Sequence, residues 1–371
     1  MTRRWIEVLT ATFFILALAG PLAAQQGDQL LPETDENNSR VATRGANFLE
    51  IGVGARAMGM AGAYGALSTG SSALYWNPAG IAVEPAFTAM FSYNDMYGDF
   101  GIDHFYGGVT LPMGVASVGL HIISLSSGDM VRTTENFPEG GDPQFGETFS
   151  WTSFAIGGSY ARQITDRLVV GATVKYAQTG IDDAKANFIG GDAGVQFRTG
   201  LLGTTIAATL LNVGSDGKFS GTLLNNQFTA ANEVFNTDKT IGTELHVEGW
   251  DMPTVFTFSV LWDLLGSPEA LLAPNPMHNL LLVTDAVDAI DTDIQGRVGL
   301  EYNYRELFFV RGGKQWFNEN HADFRDFADG LSGGFGVAVP LGENRLHLDY
   351  AYTDRGLLDG IQIFTVEFTS R

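Results

Sequence analysis

The sequence predicts an all-β protein, a transmembrane antiparallel β-barrel of about fourteen strands with an N-terminal plug. Three observations predict it. Charged residues make up only 17% of the 371-residue chain, against about 25% in ordinary soluble proteins, while hydrophobic residues reach 45%, aromatics 12% and glycine 46 positions. From residue 85 onward, apolar and polar residues alternate with period two, in segments near the 9–11 residues that a tilted membrane strand needs. The links between those segments are short and long in turn, as in a barrel with tight turns at one end and loops at the other.

Residues 1–24 come first. Arg3 and Arg4 precede an apolar run from Ala11 to Ala19, Pro21 breaks it, and Leu22-Ala23-Ala24 supplies small residues before Gln25. This pattern reads as a secretory signal peptide, because the run is too short to span about 30 Å of hydrocarbon. The chain has no cysteine, which excludes disulfides, thiolate nucleophiles and thiolate metal sites. Residues 25–47 are polar, acidic and aperiodic, and read as a flexible leader.

Residues 48–84 are rich in small side chains, among them Gly54, Ala55, Gly59, Ala61 and Gly62. Such a stretch lets backbone approach backbone and suits a crowded place, namely a hatch inside the barrel. Arg56 is a charge in this stretch that needs a partner if the lumen is crowded, and a wall carboxylate such as Glu301 or Asp349 is the expected one. In "YWNPAG", Pro78 fixes φ and Asn77 closes the turn through its side chain. Tyr75 and Trp76 are expected to pack the hatch against the wall, and Gly80 ends the motif.

Residues 85–371 form the barrel. Candidate strands lie near 86–93, 103–111, 115–124, 148–161, 166–179, 188–198, 203–213, 253–262, 278–286, 293–303, 305–313, 331–340, 344–353 and 360–368. Short links at 112–114, 162–165, 200–203, 303–305 and 341–343 read as periplasmic turns. The links at 94–102, 125–147, 180–187, 214–252, 287–292, 314–330 and 354–359 read as extracellular loops. The 263–277 link is long on the short side. Trp151, Trp262, Tyr302, Tyr304, Phe308, Trp316, Tyr350, Tyr352 and Phe368 fall near strand ends, where amphipathic rings favour the headgroup level. Paired glycines at 107–108, 157–158, 190–191, 312–313 and 333–334 suggest bends, or room for another backbone against the wall. Arg297, Glu301, Arg345 and Asp349 fall on inward positions and are candidate lumen partners.

The formal charge is −21 without basic patches, which argues against nucleic acid. No nucleophile elbow, His-Glu-x-x-His or Walker loop is present, and the six histidines are scattered. A non-enzymatic role is expected, with no catalytic residue, metal or cofactor. Acidic residues in the long loops (Asp129, Glu135, Glu139, Asp142, Glu147, Glu319, Asp323, Asp326, Asp329) match no calcium-loop spacing and read as solvated surface.

"GARAMGMAGAYGAL" (54–67) followed by "SALYWNPAGIA" (72–82) resembles the N-terminal signature of the PorV/PorQ group of FadL-like outer-membrane barrels. Ala61 stands where that signature usually has glycine, and "STGSS" (68–72) where acidic residues are frequent. The resemblance implies a fourteen-stranded FadL-like barrel in the outer membrane, surrounded by lipid and lipopolysaccharide. It implies binding and shuttling of secreted proteins in a type IX-like route, with translocon subunits and the C-terminal domains of exported proteins as partners. The alternative from the wider group is passive transport of hydrophobic small molecules such as long-chain fatty acids. An apolar lumen favours transport. A tightly plugged lumen with apolar loop tips favours protein binding.

Overall fold

The computed structural model describes residues 43–141, 148–230, 239–316, 329–356 and 360–370. The expected signal peptide, most of the leader, and Asp142, Glu147, Glu319, Asp323 and Asp326 lie outside these residues.

Fourteen antiparallel strands form one closed sheet: β1 (Phe87–Met96), β2 (Ile102–Met113), β3 (Ala116–Ser126), β4 (Trp151–Thr165), β5 (Leu168–Ile181), β6 (Ala184–Arg198), β7 (Thr204–Gly214), β8 (Val255–Gly266), β9 (His278–Ala289), β10 (Gln295–Tyr304), β11 (Phe308–Trp316), β12 (Leu331–Leu341), β13 (Asn344–Asp354) and β14 (Gly360–Ser370). Each pairs with its sequence neighbours. Closure comes from β1 on β14, in the register Phe87↔Ser370 to Met96↔Ile361. Closure matters because a barrel leaves no edge whose amide groups would lie unpaired in hydrocarbon.

The period-two pattern decides which way each side chain points. In β5, Val170 and Val174 face outward and are exposed, while Thr173 and Lys175 face inward and are buried. In β10, Leu300 and Tyr302 face outward while Glu301 is buried. The exterior is a continuous apolar belt that includes Phe105, Leu120, Ile156, Val174, Ile189, Phe258, Val310, Phe335 and Phe364, all exposed. An apolar surface of this extent is one that lipid covers.

At one end the turns are tight: Gly114-Val115, Asp166-Arg167, 199–203, 305–307 and Gly342-Glu343. The long 267–277 link folds back along this rim, where Ala273–Pro274 pair in parallel with Leu265–Gly266. The other end carries the longer loops. One loop expectation is corrected there. The 180–187 link is a two-residue turn, Asp182-Asp183, because β5 and β6 run on into it and pair up to Ile181↔Ala184.

Residues 43–86 thread the barrel from the long-loop end to the tight-turn end. Gly45 N donates to Asp251 O at the first end, and Gln163 Nε2 donates to Ala82 O (2.8 Å) at the second. Their helical pieces are single turns: 3₁₀ turns at Asn47–Glu50, Gly70–Ser72 and Pro78–Ala82, and α turns at Ala55–Met58 and Ala73–Trp76. Residues of this lumen segment, including Val53, Met60, Tyr64, Leu74 and Ile81, make up much of the buried core.

Candidate functional site

A segment built from single turns leaves most of its backbone amide groups without local partners, and buried ones must be satisfied elsewhere. The wall supplies them. Ala55 N donates to Thr365 Oγ1 (2.8 Å), Tyr64 N to Asp285 Oδ2 (2.9 Å) and Ala66 N to Ser259 Oγ (2.8 Å). Asn94 Nδ2 donates to Gly52 O (2.9 Å), Tyr106 OH to Ser71 O (2.6 Å) and Gln196 Nε2 to Ser68 O (3.0 Å). The polar inner face of the barrel is therefore largely a set of partners for an irregular backbone.

Backbone also meets wall directly, at glycine. A Cβ on Gly299 or Gly313 would lie 2.6 Å from Met60 Cβ or 2.7 Å from Ala61 N. These two glycines pair across β10 and β11. A Cβ on Gly171 would lie 2.5 Å from Ala79 N, and one on Gly194 2.9 Å from Pro78 Cδ. This second pair is also in register, across β5 and β6. Only one glycine of each sequence pair faces the lumen: Gly313 meets the segment, while nothing but a strand carbonyl lies within 4 Å of Gly312.

The motif residues take definite places. Gly54 and Gly62 have φ of 82° and 74°. Gly59 sits against Gly334 of β12, and Gly80 against Ala73. Asn77 Oδ1 accepts from Ala79 N (3.1 Å) and caps the Pro78–Ala82 turn, while its Nδ2 reaches Gly65 O and Val195 O. Tyr75 OH donates to Leu49 O (3.0 Å), and its ring meets Tyr106 of the wall edge-on. Trp76 ties parts of the segment together. Its Nε1 donates to Val53 O (3.0 Å) and its ring stacks edge-on against Tyr64 and Tyr75, so it holds the segment to itself. Trp151 departs from the expected aromatic girdle. It lies beside Phe219, which meets Trp250 in turn, at the long-loop mouth.

Arg56 is paired by Glu301 through both carboxylate oxygens (Nε–Oε2 2.9 Å, Nη2–Oε1 2.7 Å). Arg311 adds Nε to Glu301 Oε2 (2.7 Å) and Nη1 to Asp349. Two cations and two anions form a neutral quartet in which Glu301 has no exposed surface. Two inward candidates stand apart from it. Arg345 pairs with Glu306 at the tight-turn rim and is 34% exposed, because β13 has only just begun there. Arg297 lies higher, near the long-loop end. Arg311 is the member that the sequence reading missed. It faces Glu301 in the β10–β11 register, but a turn placed at 303–305 puts it out of step.

Above the quartet, the lumen segment and the wall enclose a cavity of about 240 Å³. Leu49, Met58, Tyr75 and Trp76 line it from the segment, Leu211, Val255 and Val287 from the wall. Its polar lining includes Glu50, Asp285, Arg297, Gln315 and Arg355. Among the described residues no cluster of His, Asp or Glu gathers as metal ligands.

Comparison with solved structures places this architecture. The CymD monoaromatic hydrocarbon channel superposes with a TM-score of 0.54, at 14% identity over 86% of this chain and 97% of that one. The Ralstonia pickettii toluene transporter TbuX gives 0.53 at 13% identity, over 86% and 98%. The Pseudomonas putida toluene transporter TodX gives 0.50 at 13% identity, over 84% and 95%. The chain has a FadL-like barrel fold. At these identities the likeness is one of fold. No protein-family model matches the sequence, and no curated protein matches it.

Proposed function

We propose that this FadL-like barrel is a non-enzymatic protein of the outer membrane that passes small hydrophobic molecules across it, with the lumen segment as the gate. The tight turns then face the periplasm and the longer loops the exterior. The observation that carries this reading is the cavity between segment and wall. Its lining sets apolar side chains beside polar and charged ones, which can orient a small molecule, and it sits where the gate and the wall meet. Its volume of about 240 Å³ exceeds the roughly 150 Å³ that suffices for benzene in an engineered apolar cavity. The fold comparisons support the same reading, since the similar structures are named as hydrocarbon channels.

One observation favours the binding and shuttling of exported proteins in a type IX-like route, as the sequence resemblance implies. Apolar side chains stand exposed on the long-loop end, among them Phe100, Val131, Phe137, Leu245 and Trp250, and the lumen is tightly filled. Mass spectrometry of everything that co-purifies with the detergent-extracted barrel separates the two. Small hydrophobic molecules without a stoichiometric protein partner are the expected result. Translocon subunits, or exported proteins held by their C-terminal domains, would replace the transport reading with the shuttle.

A further inference from the structure

We infer that the outer wall at β2–β5 carries a site for one anionic phospholipid, with an acyl chain in a groove beside Gly158 and the phosphate on Arg162. This goes beyond the transport reading and does not rest on it.

The groove lies on the outside of the barrel and measures about 580 Å³, within the roughly 300–1,000 Å³ of small-molecule sites. Its lining is small at Gly158 and Ala172 and large at Leu111, Leu120, Tyr160 and Val174, all of them exposed. These residues share one face because Gly158 pairs with both Leu120 and Val174, and Tyr160 pairs with Ala172. The depression centres on Gly158. A Cβ there would meet nothing closer than Leu120 Cδ2 at 3.6 Å, so the wall has room for a side chain that the sequence leaves out. The β2–β3 and β3–β4 ladders run beneath it without a register shift. The groove is therefore a dent in a closed wall and not a passage to the lumen.

One outward position beyond Tyr160, about 7 Å along β4, stands Arg162, which is exposed. It is close to the tight turn, at the depth where headgroups begin and an amphipathic ring such as that of Tyr160 settles. Arg167 in that turn and Arg198 at the end of β6 are exposed on the same rim, and Arg198 N donates to Arg167 O (2.9 Å or less, at 2.8 Å) across the two strands' ends. Residues 162–167 and 198–203 thus hold three arginines and one carboxylate, Asp166, in a chain with 42 acidic and 21 basic residues. Among the described residues no ion pair joins Asp166 to any of the three, and the Arg162 side chain has no hydrogen-bond partner.

Arginines at a membrane surface attract anionic lipid, and the guanidinium fork matches a phosphate. The groove beside Arg162 is apolar and opens to the bilayer, so an acyl chain suits the rest of the occupant. A zwitterionic lipid brings a cation along with its phosphate, which three guanidiniums repel. A soluble phosphate compound has no chain to fill the groove.

The test is native mass spectrometry of the full barrel, released from micelles that hold phosphatidylglycerol and phosphatidylcholine of equal chain length. One phosphatidylglycerol is expected to stay bound, preferred about tenfold over phosphatidylcholine. Arg162→Gln is expected to erase most of that preference. Gly158→Leu, which fills the groove where there is room for it, is expected to lower the retention of both lipids. Equal retention of the two lipids, a preference that survives Arg162→Gln in full, or undiminished retention in Gly158→Leu overturns the inference. Should either variant fail to fold by its gel mobility, a phosphatidylglycerol with a photoreactive acyl chain decides on the unmodified barrel. Labelling within residues 109–120 and 158–174 supports the site, and labelling elsewhere overturns it.

Discussion

Glu301 accepts from two guanidiniums, one on the wall and one on the lumen segment, and has no exposed surface. Its removal and the removal of Arg56 are therefore unequal. Glu301→Gln leaves the buried Arg311 with Asp349 alone and Arg56 without its ion-pair partner, and breaking a buried pair from one side costs about 3–5 kcal/mol. Arg56→Met leaves Arg311 still paired with both carboxylates, and Arg56 keeps 31% of its side-chain surface accessible, so its loss costs less. Limited proteolysis of the folded barrel reads this as release of the segment. Glu301→Gln should be cleaved within residues 43–83 much faster than the parent, with Arg56→Met between them. Equal protection in all three would mean that the quartet does not hold the segment. The pairing of Arg56 was open to sequence reasoning, since a lone charge among small residues asks for a partner. Arg311 was not. The β10–β11 turn is built on Arg305 and Glu306, both with positive φ (54° and 55°), and without the Asn-Gly or Asp-Gly that usually marks such a turn. The expected turn fell too early, and the register across it was lost.

At the scale of elements, the glycines on facing strands act in pairs. Gly299 with Gly313 and Gly171 with Gly194 are each in register, and each pair makes a flat place where the segment's backbone rests. Gly313→Ala puts a methyl 2.7 Å from Ala61 N, which neither strand nor turn can yield to cheaply. Overpacking of this kind typically costs 1–3 kcal/mol, and the cost falls on docking, because β11 keeps its ladder. Gly312→Ala, one residue away and facing outward, should be silent. Amide hydrogen exchange should show faster exchange at residues 57–66 in Gly313→Ala and none of this in Gly312→Ala. Matching exchange in the two variants would remove the glycine seat from the account. The strands were legible because alternation and tight turns are local signals, and every candidate strand overlaps one that forms. Which glycine of a pair faces inward follows from the same alternation. The course of the segment did not follow, since small residues say that backbone comes close but not to what. Trp76 shows this: its indole closes the segment on Val53 O, a partner that no local pattern names.

For the molecule as a whole, the strand number sets the problem that the segment solves. Side chains alone fill a barrel of about eight strands, whereas 16 to 18 strands leave a water channel. Fourteen strands enclose more than their own side chains can fill, and residues 43–86 take up the difference. Their amide groups spend the wall's hydroxyls, amides and carboxylates as partners. Without the segment, those same wall groups would need water, and the lumen would become an aqueous pore. Its wall would carry Glu301, Asp349, Asp285, Asp192 and Glu367 against Arg311, Arg297 and Lys175, an acidic excess that favours cations. In planar bilayers the intact barrel should therefore show no steady conductance. A chain lacking residues 26–83, with its folded state checked by gel mobility before and after heating, should open in discrete steps and prefer K⁺ over Cl⁻. Steady conductance in the intact barrel would mean that the segment does not seal the lumen. An anion preference in the shortened one would mean that charges beyond these wall residues set the field. If the proposed transport reading holds, a segment that blocks ions while leaving a cavity of about 240 Å³ beside it would let a small molecule enter without opening the membrane to salt.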